Sequence, residues 1–76
     1  MQIKVRIGTG DEIQTFTFDE DQTVEDLKDE IHKKTGIPAE QLNIISKGQR
    51  LLDQVKLKDK IKNGETVHAM HVLRGG

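Results

Sequence analysis

Seventy-six residues, with twelve basic and thirteen acidic side chains, a net charge of −1 and no cysteine, bound the chain to one small domain. They exclude a disulfide, a thiol nucleophile and a cysteine-based metal site. The charge balance argues against a nucleic-acid binder, which carries a basic excess, and no apolar run approaches the roughly 18 residues of a membrane span. The N-terminal MQIKVRIG alternates rather than forming the apolar block of a signal peptide. The default expectation is therefore a soluble intracellular domain, and the lack of cysteine suits a reducing compartment.

Met1, Ile3, Val5 and Ile7 alternate with Gln2, Lys4 and Arg6, which predicts a strand with one apolar face. Gly8-Thr9-Gly10-Asp11 is a turn signal. EIQTFTF then resumes the alternation with Phe16 and Phe18 on one face, giving a hairpin whose loop is longer than two residues. Ile13, three residues from Phe16, either adjoins a β-bulge near Gln14 or points outward.

A helix is predicted over about Val24 to Thr35. Thr23-Val24-Glu25-Asp26 fits a capping box, and Glu25 and Asp26 suit the positive end of the helix dipole, as Lys33 and Lys34 suit the negative end. Val24, Leu27 and Ile31 share one helical face, and His32 lies on the exposed one. Gly36 is the C-cap and Pro38 blocks continuation.

LNIIS, Leu42 to Ser46, reads as a strand with Leu42, Ile44 and Ser46 on one face and Asn43 and Ile45 on the other. Lys47-Gly48-Gln49 turns the chain and Leu51-Leu52 is a very short strand. Residues 53–63 are polar, punctuated by Val55, Leu57 and Ile61, and read as a loop with one helical turn, closed by the Asn63-Gly64 turn signal. TVHAMHVL alternates again, with Val67, Ala69 and His71 on one face and His68, Met70 and Val72 on the other. One amphipathic helix against one sheet is an α+β roll, and no repeat or linker divides it.

The chain offers little chemistry of its own. His68 and His71 project to opposite faces of a strand, so they do not share an ion, and no histidine spacing matches zinc. Asp19-Glu20-Asp21 lacks the ligand spacing of a calcium loop. Gly8-Thr9-Gly10 lacks the lysine and following helix of a phosphate loop. A single Arg-Gly-Gly is not the repeated, aromatic-interleaved RNA-binding type. No catalytic residue, metal or cofactor is expected.

What remains is a surface and a tail. If the third and last strands are neighbours, Ile45, His68 and Met70, with Val72 beyond them, form an apolar patch of the kind that marks a partner site. The flexible thioether of Met70 suits varied partners. The chain ends His71-Val72-Leu73-Arg74-Gly75-Gly76. Two glycines are the narrowest backbone available, fit to carry a terminal carboxylate through an enzyme channel, with Arg74 pairing an acidic rim. A frayed terminus is the other reading of the same residues.

The series MQI-V, Thr9-Gly10, Thr23-x-Glu25-x-x-Lys28, Gly36-Ile37-Pro38, Ile45, Gly48, Asp53, Leu57-x-Asp59, Ile61, Thr66-x-His68 and Leu73-Arg74-Gly75-Gly76 resembles ubiquitin over the whole chain. The resemblance implies a β-grasp roll: a mixed sheet of four to five strands packed on one helix. It implies a single domain over residues 1–76 with a flexible tail at about 73–76. It implies a modifier that is a substrate and not an enzyme. Gly76 would be adenylated, passed as a thioester to carrier cysteines and joined to a target lysine. The implied partners are activating, conjugating and ligase enzymes, deconjugating proteases, target-protein lysines and ubiquitin-binding-type domains, with no nucleic acid and no membrane. A cytoplasmic and nuclear monomer is expected.

Three departures from the family pattern bear on function. The family patch falls on Ile45, His68 and Met70, but its fourth member, a leucine, is Gly8 here. Ubiquitin has an arginine at the position of Val72, where it helps select the ubiquitin-activating enzyme; an apolar residue is closer to the Rub-type modifiers, which use a separate enzyme. A charge-assisted contact of that kind contributes on the order of 1.5–3 kcal/mol. The two principal chain-forming lysines align with Gln49 and Asn63, and only Lys28 and Lys34 align with family lysines. Lys28 is usually buried in this fold, and Lys47 could substitute as acceptor. A non-conjugated ubiquitin-like binding domain and a β-grasp sulfur carrier ending in a thiocarboxylate share much of this pattern; Gly36-Ile37-Pro38, Ile45 and His68 favour ubiquitin over the sulfur carrier.

Overall fold

Alternation along the first strand and helical spacing in the middle of the chain require a sheet with one dry face and a helix to cover it. The computed structural model, which describes residues 1–8 and 12–72, has that arrangement. In chain order it contains β1 (Gln2–Ile7), β2 (Ile13–Thr17), α1 (Val24–Thr35), a 3-10 turn (Ala39–Gln41), β3 (Leu42–Ser46), β4 (Gln49–Leu51), α2 (Leu57–Lys60) and β5 (Thr66–His71). The five strands lie in the order β2-β1-β5-β3-β4, with β1 and β5 parallel and every other neighbouring pair antiparallel. This mixed sheet on one main helix is the expected β-grasp roll.

The inner sheet face supplies Ile3, Val5, Leu42, Ile44, Val67 and Ala69, and α1 supplies Val24, Leu27 and Ile31; all are essentially fully buried in one core with Phe16, Phe18, Leu51, Leu57 and Ile61. Each large aliphatic side chain in such a core contributes about 1.5–3 kcal/mol by leaving water.

The helix begins at the predicted residue, but the loop before α2 contributes as much to its cap as Thr23 does. The Asp26 carboxylate accepts the Thr23 N–H at 2.9 Å, the reciprocal arm of the capping box. The free amides of Val24 and Glu25 donate to the carbonyls of Val55 at 2.9 Å and Asp53 at 3.1 Å. Two of the four orphan donors of the first turn are thus satisfied by a segment distant in sequence. At the other end Gly36 takes φ +80 and donates to the His32 carbonyl, as a left-handed C-cap does.

Two expectations change. β4 is Gln49–Leu51, not Leu51-Leu52. Lys47 and Gly48 both take positive φ, which closes a two-residue hairpin, so pairing resumes at once with Ser46 opposite Gln49. Leu52 falls outside the strand and is exposed. β5 ends at His71, short of the full TVHAMHVL run, with Val72 outside the strand and Leu73 outside the described residues. The choice left open for Ile13 resolves outward. The β1–β2 register runs without interruption from Gln2 opposite Thr17 to Arg6 opposite Ile13, so there is no bulge, and Ile13 is 44% exposed.

Ile31→Ala is expected to lose about 2–5 kcal/mol in chemical denaturation, and Ile13→Ala to change stability by no more than about 0.5 kcal/mol. Comparable losses would contradict the register of β2.

Candidate functional site

A period of two sends residues 66, 68 and 70 of β5 to one face and residues 67 and 69 to the core. His68 and Met70 therefore stand on the outer face, both exposed, Met70 at 49%. On β3 the same rule turns Asn43 and Ile45 outward, and both are half-buried. The antiparallel register sets Ile45 directly opposite His68, and Asn43 opposite Met70. Ile45, His68 and Met70 are thus contiguous on adjacent strands.

The sheet places two cations beside them that the alternation did not single out. Reading across the strands, Ile13 stands opposite Arg6, Arg6 opposite His68, His68 opposite Ile45, and Ile45 opposite Arg50. One row across all five strands therefore brackets His68 and Ile45 between two guanidinium-bearing residues. Nε of Arg6 is buried with no hydrogen-bond partner among the described residues. The signal in the sequence was that Arg6 shares the polar face of β1; which residue lies beside it is set only by the parallel pairing with β5. This face favours an apolar partner rimmed by carboxylates.

Gly8 closes the patch on the β1 side, where its N–H donates to the Ala69 carbonyl at 3.0 Å. It takes φ +68, and a β-carbon there would meet nothing within 4 Å. A β-carbon would meet no clash among the described residues, but the left-handed backbone opposes any L side chain by about 1–2 kcal/mol. The backbone at Gly8 thus disfavours a side chain at that position.

Gln41 anchors the chain where it leaves β5. Its carbonyl accepts the Val72 N–H at 2.7 Å, and its side-chain oxygen lies 2.9 Å from Nε2 of His71. His71 is exposed and Val72 half-buried. Leu73, Arg74, Gly75 and Gly76 lie outside the described residues, as do Thr9 and Gly10 of the first turn.

The candidate acceptor lysines occupy different environments. Lys28 is 7% exposed, and its ammonium donates to the Asp53 carboxylate. Lys47 is exposed at the tip of the β3–β4 hairpin, 3.5 Å from the Glu65 carboxylate, whose other oxygen accepts the hydroxyl of buried Ser46. Lys34 is exposed, with its ammonium 5.9 Å from the centroid of the Phe16 ring. Among the described residues no cluster of histidine and carboxylate side chains could hold a metal, and no helix is long and apolar enough to cross a membrane.

A model described as the ubiquitin family matches residues 3–74. Ubiquitin-like protein 1 of Schizosaccharomyces pombe is 32% identical over 77 residues, covering 100% of this chain and 97% of its own. Ubiquitin-like protein NEDD8 of Dictyostelium discoideum is 32% identical over 77 residues, covering 100% and 99%. NEDD8-like protein RUB3 of Arabidopsis thaliana is 32% identical over 77 residues, covering 100% and 97%.

An amine-reactive acetylating reagent applied to the folded protein is expected to modify Lys47 and Lys34 well before Lys28, read by peptide mass spectrometry against time. Equal rates at Lys28 and Lys47 would contradict the buried placement of Lys28.

Proposed function

Because the chain belongs to the ubiquitin family, we propose that it is a conjugated protein modifier, joined through the Gly76 carboxylate to lysines of target proteins. In this reading the carboxylate of Gly76 attacks the α-phosphate of ATP and releases pyrophosphate. A carrier cysteine thiolate then displaces AMP, and a lysine amine finally displaces the thiol to leave an isopeptide bond. Gly75 and Gly76 supply a backbone without side chains for the narrow passage to those sites. The chain is the substrate throughout and catalyses nothing. It acts in the cytoplasm and nucleus, with conjugating and ligase enzymes, deconjugating proteases and patch-binding domains as partners.

The observation that carries this reading is the full-length match to relatives named NEDD8 and NEDD8-like, in a chain that carries Leu73-Arg74-Gly75-Gly76. Val72 refines it. The residue is apolar and half-buried, and its backbone is held by Gln41 where the chain leaves β5. We infer that a dedicated activating enzyme accepts His71, Val72, Leu73 and Arg74, and that the ubiquitin-activating enzyme, deprived of a cation at position 72, does not. Ile45, His68, Met70 and Gly8 form the non-covalent recognition surface.

The test is thioester formation with ATP and each activating enzyme. Charging by a Rub-type enzyme and poor charging by the ubiquitin enzyme are expected, with Val72→Arg improving the latter about tenfold to a hundredfold. Removal of Gly75 and Gly76 should abolish both. Efficient charging of the unaltered chain by the ubiquitin enzyme, with no gain from Val72→Arg, would overturn the assignment.

Glutamine and asparagine at positions 49 and 63 leave no amine where the family's principal chains grow. Linkage mapping by mass spectrometry is expected to find single attachment, or chains through Lys47 and Lys34, and not through Lys28.

A further inference from the structure

Among the described residues β2 is an edge strand, with β1 as its only neighbour in the sheet. Which of its backbone groups are free follows from one pair of bonds. The Met1 ammonium donates to the Phe18 carbonyl at 2.6 Å, and the Phe18 N–H donates to the Met1 carbonyl at 2.8 Å. In an antiparallel ladder such reciprocal pairs recur every second residue. Phe16 opposite Ile3 and Gln14 opposite Val5 therefore face β1. Ile13, Thr15 and Thr17 turn their N–H and C=O groups to the open side, and all three residues are exposed.

Sheets blunt such edges with charge, proline, a bulge, a short strand or a covering segment. β4, the opposite edge, follows the rule: it has three residues and carries Arg50. β2 does not. Its sequence IQTFT has no charge and no proline, its register has no bulge, and each outward position is β-branched.

The charges around this edge describe what it accepts. Exposed Glu12 precedes the strand, and exposed Asp19 lies two residues beyond its end. Near the middle, Lys4 stands opposite Thr15, and the Lys34 ammonium lies 5.9 Å from the Phe16 ring on the helix side. The field along the edge is negative, positive, negative. A second copy paired antiparallel about Thr15 would set Glu12 of each chain against the Phe18–Asp19 end of the other, so like charges oppose self-association.

We propose that the free edge of β2 accepts an extended peptide segment as a sixth strand, one carrying a cation at each end and an acid at its middle. Main-chain bonds to Ile13, Thr15 and Thr17 supply the affinity, and the charge order supplies the selectivity between peptides. The site lies at the far edge of the same sheet, three strands from Ile45, and is independent of whether Gly76 is conjugated.

The test uses the full chain, labelled with nitrogen-15, and two nine-residue peptides of alternating valine and threonine. One has lysine ends and a central glutamate; the other has glutamate ends and a central lysine. The first is expected to shift the amides of Ile13, Thr15 and Thr17, to slow their hydrogen exchange, and to bind roughly tenfold more tightly than the second. Thr15→Pro, which removes an outward N–H, should abolish binding. The surface variant Glu12→Lys/Asp19→Lys should reverse the preference between the peptides without affecting the fold. No shift with either peptide at about millimolar concentration, equal binding of both, shifts centred on Ile45 and His68, or a β2-linked dimer formed without peptide would each overturn the proposal.

Discussion

The parallel pairing of β1 with β5 joins the first strand of the chain to the last, and the outer face of the sheet depends on it. The turn at Asn63-Gly64 sets its register. The Gln2 N–H donates to Oδ1 of Asn63 at 2.6 Å, and the Gly64 N–H donates to the Gln2 carbonyl at 2.6 Å. The Lys4 N–H then reaches the Glu65 carbonyl at 2.9 Å. A slip of one residue would turn His68 and Met70 into the core and Val67 and Ala69 out of it. The pairing also brings Arg6 beside His68, which gives the candidate surface its charge.

The other long-range tie lies at the start of α1. The segment from Asp53 to Leu57 caps the helix through backbone carbonyls, bridges Thr23 through Lys56, and returns the Leu57 N–H to the Gln22 carbonyl at 2.9 Å. Asp53 is also the partner of Lys28. A buried ammonium is tolerated only when paired, so the loop serves the helix twice: it satisfies free amides and it neutralises a covered charge. The same contact withdraws Lys28 from the surface and leaves Lys34 and Lys47 as the accessible members of the candidate acceptor set.

The candidate surface and the exit of the chain from the sheet share one strand. His68 and Met70 stand on its outer face, while His71 ends the strand and Val72 follows it. Gln41 holds the junction with its backbone and its side chain together. Val72 therefore leaves the sheet next to the strand that carries His68 and Met70.

Local pattern was sufficient for much of this. Alternation in MQIKVRI and in LNIIS named the buried and outward residues correctly, because a strand face is decided by a period of two. The helix limits followed from Thr23, Gly36 and Pro38, whose conformational preferences act within one turn. Leu51-Leu52 failed as a strand because two adjacent leucines carry no period, while the left-handed backbone at Lys47 and Gly48 fixed where pairing restarts. Ile13 was undecided for the same reason: spacing from Phe16 cannot distinguish a bulge from an outward side chain, whereas an unbroken register can.

The sequence by itself determined the helix and most of the strands, the inward and outward residues of β1 and β3, the absence of thiol chemistry and the identity of residues 73–76, since these rest on composition and on neighbours in the chain. Only the tertiary structure decided which strands adjoin, that Arg6 and Arg50 bracket His68 and Ile45, that Lys28 lies against Asp53, and that β2 has an open edge among the described residues. Those facts depend on strand order and register, which arise when distant segments bury a shared core and satisfy one another's backbone groups.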